Sequence, residues 1–454
     1  MPFTSQNPAT EQLLATFPDL TPEEREIKLA RAAKTFISWR QKSFTERGAL
    51  MRKLATILRE QKRALGMLMA QEMGKPITSG MGEADKCAWV CEWYAEHAER
   101  LLADELIATD AKKSFIHHNP LGIILAVMPW NFPFWQVMRF AAPALMAGNV
   151  GILKHASNVP QCALALERLF HEADFPEGAF QTLLIRSSEV ASLIRDPRIQ
   201  AVTLTGSEHA GSEVAATAGR EIKKTVLELG GSDPFIVLAD ADLSQAAQVA
   251  AQARLQNAGQ SCIAAKRFIV VRSVAEKFLA LFAEQIQCAV VGDPLDGATT
   301  LGPMATKNIL EELEKQVQRS VELGARVVIG GKRREGRGYF YEPTILAEIK
   351  PGMPAYDEEL FGPVASFIVV ADTAEAIRVA NDTPFGLGAS VWTNDVQEGE
   401  RCADAIEAGC VCVNQMVKSD PRLPFGGIKK SGYGRELSRD GIREFVNIKT
   451  VVVA

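Results

Sequence analysis

Apolar and polar positions along this chain fall into two regimes. Over the first hundred residues they recur with helical spacing. Thr21-Pro22-Glu23-Glu24 reads as a capping box with proline at the first helical position, and Ile27, Ala30, Ala33, Phe36 and Ile37 follow on one face. Further helices are predicted over 45–62 and 87–102. The pattern then changes to short continuous apolar runs at 122–127 (GIILAV), 150–153, 201–205 (AVTLT) and 225–229 (TVLEL), as expected of strands covered on both faces. Helical segments at 159–173 and 209–219 separate them. Strand, helix, strand at this spacing means parallel crossovers, hence an α/β chain with an open, doubly wound sheet. A second alternation starts after Gly231, with a helix over 243–257, a strand over 267–271, a helix over 274–288, and strands near 325–329 and 389–393. It predicts a second α/β domain. The tail, 449–454 (KTVVVA), is a β-rich strand that either pairs with another chain or lies within its own sheet.

Composition narrows the class. The 454 residues suggest about three structural units at roughly 150 residues each. An apolar share of 47% against 23% charged is that of a chain with a large core, not a disordered or fibrous one. A net charge of −5 offers no basic surface for nucleic acid. The longest apolar stretch, 121–129, is too short to span a membrane, and the N-terminus shows no secretory signal. Eight cysteines over this length are too sparse for a disulfide scaffold, which points to a reducing, cytoplasmic setting. No spacing typical of zinc ligands occurs, so no metal is expected.

Four turns at element ends carry candidate chemistry. Asn257-Ala258-Gly259-Gln260-Ser261-Cys262 places a thiol in a glycine-containing turn, where it can be reactive, although a free cysteine is more often a small buried hydrophobe. Glu228-Leu229-Gly230-Gly231 ends a strand on a carboxylate, either a general base or a solvated charge. Thr205-Gly206-Ser207-Glu208-His209-Ala210-Gly211 links a strand to a helix start, where amides attract phosphate, although it is not GxGxxG. Met128-Pro129-Trp130-Asn131-Phe132-Pro133 offers Asn131 as an oxyanion donor at a strand end.

In this order and spacing the four turns resemble the aldehyde dehydrogenase superfamily. The resemblance extends through Glu358-Glu359-Leu360-Phe361-Gly362-Pro363, Asn414, Pro424-Phe425-Gly426-Gly427 and Ser431-Gly432-Tyr433-Gly434-Arg435-Glu436, nearly the whole chain. It implies a Rossmann-like cofactor domain (1–101 and 121–231), a catalytic domain (232–430) and a small β oligomerisation element (102–120 and 431–454) supporting a homodimer or a dimer of dimers. By similarity Cys262 is the nucleophile, Asn131 the oxyanion donor and Glu228 the base that activates the hydrolytic water. Lys154 matches a lysine at the adenosine ribose, Gly206, Ser207 and Gly211 the pyrophosphate site, Glu359 and Phe361 the nicotinamide ribose, and Trp130 a residue beside the cofactor. Ser157 stands where NAD-dependent relatives often carry glutamate. A neutral hydroxyl beside Lys154 accepts a 2′-phosphate, so NADP is expected, with NAD as second choice.

The resemblance is nearest to succinate-semialdehyde dehydrogenases. Arg139, two helical turns beyond Asn131, matches their carboxylate-binding arginine. Trp135 would wall the pocket. A second arginine of some relatives is replaced by Gln256, so Ser261 and Ser419 are candidates to share its work. Ile263 and Ala264 leave Cys262 without a neighbouring cysteine for a local disulfide. The chain is also short at its N-terminus for the family. The expected rivals are a broad or CoA-acylating aldehyde dehydrogenase, against which Glu228 argues, and a non-catalytic homologue.

Overall fold

The computed structural model describes residues 2–454. The N-terminal helices form where their caps predict. Thr21 caps Pro22–Trp39 with a reciprocal bond to Glu24, and Ser43 with Glu46 does the same for Phe44–Glu60. The helix expected over 87–102 is longer, Ile77–Leu101. A hairpin of Phe3–Gln6 with Leu13–Phe17 precedes them; its mixed apolar and polar pattern gave no strand signal.

Two sheets follow. The first has six strands in the order Gly432–Tyr433, Lys224–Glu228, Ile199–Thr205, Ile123–Met128, Val150–His155, Phe180–Thr182. All its neighbours are parallel except the first pair. Its central strands are buried apart from Gln200 and the half-buried Val127, as their continuous apolar runs require. Gly432–Tyr433 brings part of the 431–454 segment into this sheet.

The second sheet has seven strands, Arg326–Ile329, Thr344–Ala347, Val364–Val370, Arg267–Val271, Pro234–Val237, Gly388–Trp392 and Cys410–Val413 in spatial order, parallel apart from its first pair. Alternation splits its core. Phe235, Phe268 and Phe367 pack on one face, and Ile236, Ile269 and Ile368 on the other. A third, antiparallel sheet pairs Val446–Val453 with Lys113–Pro120 over eight residues, with Glu105–Leu106 beyond. The tail strand therefore pairs within its own chain, and its other side is the edge of that sheet. No helix among the described residues is long and apolar enough to cross a membrane.

Candidate active site

The carboxyl ends of the first sheet's strands open on a groove of about 670 Å³ that also borders the second sheet. Trp130, Asn131, Thr205, Gly206, Ser207, Cys262, Glu359 and Phe361 line it. Residues far apart in sequence thus meet as a set. The groove falls in the size range of small-molecule sites.

Cys262 is delivered by a strained turn. The helix Leu243–Leu255 ends short of the expected 257, and Asn257, Ala258 and Gly259 all take left-handed backbone angles, with φ of 53°, 55° and 71°. Only glycine adopts such angles without cost. The turn is stitched to the Asn131 loop: Nδ2 of Asn257 donates to the Asn131 carbonyl at 2.8 Å, and Nδ2 of Asn131 donates to the Gln260 carbonyl at 3.0 Å. Lys266 Nζ donates to the carbonyls of Ser261 (2.9 Å) and Cys262 (2.6 Å) and pairs with Glu359 at 3.0 Å. Cys262 is half-buried. Burial pushes its thiol up to about 12, opposed by Arg139 and Lys266 and reinforced by Glu359 and Glu228.

The Asn131 loop is fixed from behind. Glu83 is buried, and one of its oxygens accepts the amides of Phe134 and Trp135 at 2.9 Å each, while Lys75 pairs with the other. His155, at the end of its strand, bonds the Pro133 carbonyl at 2.9 Å, and burial holds its ring down at about 4, so the ring is neutral.

Glu228 is 2% exposed, and neither carboxylate oxygen has a hydrogen-bond partner among the described residues. Burial and the neighbouring Glu436 hold its carboxyl well above the usual range, against Arg139 and Arg435. Arg139 is buried too. Its Nε lies 2.6 Å from a Glu436 oxygen and its guanidinium 4.6 Å from the Phe425 ring centroid. It does not line the groove. Trp135 Nε1 donates to Ser419 Oγ at 3.1 Å, and Ser261 is buried with its hydroxyl unbonded among the described residues.

The residues present fit a dinucleotide. Gly206 and Ser207 sit at the start of the helix Glu208–Arg220, whose amide of Ala210 is capped by Ser207 at 3.3 Å. Thr205 carries a buried hydroxyl without a partner among the described residues at the same turn. A Cβ on Gly230 would come within 2.5 Å of a Glu359 carboxylate oxygen, so a side chain there would push Glu359 from its place in the groove. Trp130 and Phe361 meet edge to face at 5.9 Å. Gly211 does not face the groove but packs against Leu229. Ser157 is exposed and lines a separate cavity of about 300 Å³ with Arg186, Thr306 and Lys307, while Lys154 reaches Ser187 Oγ at 3.3 Å.

Lys266, Glu83, His155 and Glu436 carry no local sequence signal for the parts they play here. The aldehyde dehydrogenase family model matches residues 1–451, and the chain belongs to that family. It is 56% identical over 454 residues, all of both chains, to a probable NADP(+) succinate-semialdehyde dehydrogenase of Synechocystis sp.. It is 52% identical to an NADP(+) succinate-semialdehyde dehydrogenase of Mycobacterium avium, covering 99% of this chain and 96% of that one. The crystal structure of succinic semialdehyde dehydrogenase from Streptococcus pyogenes with NADP+ superposes with a TM-score of 0.97 at 39% identity, covering 99% of each chain.

Proposed function

We propose that this chain oxidises succinate semialdehyde to succinate with NADP, NAD being second choice. The observation that carries the reading is the single groove onto which the Cys262 thiol, the Asn131 amide and the Gly206–Ser207 helix start all open. Its proton lost to solvent, the Cys262 sulfur adds to the aldehyde carbon, the carbonyl π pair moves to oxygen, and Asn131 Nδ2 with the Cys262 amide holds the resulting oxyanion of the thiohemiacetal. When bound, the dinucleotide supplies the acceptor for the hydride that leaves this carbon. Lys154 and Ser157 would hold its ribose and 2′-phosphate, Gly206 and Ser207 the pyrophosphate, with Gly211 packing that helix start onto Leu229, and Glu359, Phe361 and Trp130 the nicotinamide end. Glu228 takes a proton from the water that hydrolyses the thioester left on Cys262. Water rather than CoA as acceptor follows from that carboxyl group. Arg139 and Trp135, with Ser261 and Ser419, shape the far end for the second carboxylate.

We place the enzyme in the cytoplasm as a homodimer or dimer of dimers, held through the open edge of Val446–Val453. A single-chain mass by light scattering removes the oligomer. Assays with succinate semialdehyde and butanal test the activity. Free acid and reduced NADP should form in equal amounts without CoA, with higher kcat/KM for the semialdehyde, and Cys262→Ala should abolish both products. A CoA requirement, or a preference for butanal, overturns the reading.

A further inference from the structure

One cation of the helix Ile77–Leu101 packs against Trp135 with no carboxylate paired to it among the described residues. Lys86 lies on the helix Ile77–Leu101, one turn after Glu83, whose bonds to the Phe134 and Trp135 amides dock the two helices. That docking sets the Lys86 ammonium 4.3 Å from the Trp135 ring centroid, where it donates to Ser419 Oγ at 2.8 Å. Ser419 already receives the Trp135 indole N–H. Lys86, Trp135 and Ser419 therefore form one cluster joining three segments of the chain.

Among the described residues Lys86 has no ion-pair partner, and each acidic neighbour is committed elsewhere. Glu83 is paired with Lys75, Asp420 with Arg422, and Glu436 with Arg139. Lys75, Arg422 and Arg139 each have one of these carboxylates, and Lys86 has none. It is half-buried; burial, with Arg139 nearby, draws its ammonium down to about 8. A partly desolvated, unpaired cation favours an anionic partner. Arg139 is placed differently, because its guanidinium already has a buried carboxylate and an aromatic face. Trp135 and Arg139 lie one turn apart on the helix Trp135–Met146, which follows directly on the Asn131 loop bonded to the Cys262 turn.

We propose that Lys86, together with Ser419, binds the distal carboxylate of the substrate, with Arg139 behind it as a positioning cation held by Glu436. The assignment rests on the semialdehyde reading above and names a contact that Gln256 cannot supply. The Lys86 ammonium donates to the carboxylate, and the Trp135 ring beneath it keeps the contact from full hydration.

The test is the ratio of kcat/KM for succinate semialdehyde to that for butanal, measured in the wild type, Lys86→Met and Lys86→Arg. Removing the charge should lower the ratio by about ten- to a hundredfold, mainly through KM for the semialdehyde. Lys86→Arg should restore most of it. Lys86→Gln gives the same reading should the Met variant fail to fold. A wild-type preference that survives in Lys86→Met overturns the Lys86 assignment alone. A wild type without preference overturns the semialdehyde reading and this assignment with it.

Discussion

Glu228 is a carboxyl group without a hydrogen-bond partner among the described residues, 2% exposed, with a second buried carboxyl, Glu436, acting on it. Both effects disfavour its charge, so the folded chain holds its proton at pH values where the unfolded chain has lost it. The sign follows from linkage. A folded-state value raised above the unfolded one means that stability is present at low pH and falls as pH climbs toward the folded value. Glu228→Gln removes that loss. The variant should therefore be more stable than wild type above the ordinary carboxylate range, and the gap should widen by up to a little over ~1 kcal/mol per pH unit. Thermal unfolding of both proteins across a pH series checks this, and a constant gap would show that Glu228 is not held protonated. The same residue predicts the kinetics. Burial raises both Glu228 and the Cys262 thiol, so kcat/KM should rise with pH through the Cys262 thiol and kcat through Glu228, which acts on the later hydrolysis. Glu228→Gln should lose roughly two to four orders of magnitude in steady-state turnover while a first equivalent of reduced dinucleotide still forms in a burst. Loss of the burst as well would mean that Glu228 acts before hydrolysis.

At the scale of elements, the site is a set of turns pinned to one another. The most constrained is the left-handed run from Asn257 to Gly259. A Cβ on Gly259 would fall 2.1 Å from the Gly362 carbonyl oxygen at a φ of 71°. Gly259→Ala combines a disfavoured backbone angle with a backbone clash, and should cost about 2–4 kcal/mol and misplace Cys262. Denaturant unfolding reads the first effect and the rate of Cys262 alkylation the second. Near-wild-type values in both would show that the turn relaxes freely. This turn also shows what was legible in the sequence. Gly259, Gly206 and Gly230 interrupt apolar runs, so the four site turns, the crossover order and the capped N-terminal helices could be read locally. Lys86, Glu83, Lys266 and Glu436 could not. Each is a charged residue that sequence alone places on a solvated face, and its role depends on a distant partner: Lys86 and Ser419 lie 333 positions apart. The strands Thr344–Ala347 and Val364–Val370 were missed in a chain segment where their apolar runs lie among loops. The end of the helix at Leu255 was overrun because nothing in Gln256-Asn257-Ala258 forbids a further helical turn.

For the whole molecule, the groove lies where two separately cored halves meet. Gly206 and Ser207 come from the first sheet's loops, and Glu359 and Phe361 from the segment beside the second. A ligand that touches both should stabilise both, and the gain follows mass action, about 2.7 kcal/mol at a hundredfold excess over Kd. On the proposed reading, the exposed Ser157 hydroxyl and its cavity, with Arg186 and Lys307 on the wall, would set which dinucleotide gains most. Arg186 is already held by Asp19 through two bonds of 2.8 and 2.9 Å, and among the described residues Lys307 pairs only with Glu311, at 3.7 Å, so on this reading Lys154 and Lys307 would carry the charge left for a 2′-phosphate. NADP should therefore raise the melting temperature of wild type more than equimolar NAD does. Ser157→Glu adds a carboxylate that repels the phosphate and can accept from ribose hydroxyls, with room for the longer side chain at an exposed position. Its order of stabilisation should reverse, with NAD above NADP, in melting temperature and in dinucleotide titration alike. If the variant keeps the wild-type order, selection lies with Lys154 and the cavity wall and not with residue 157.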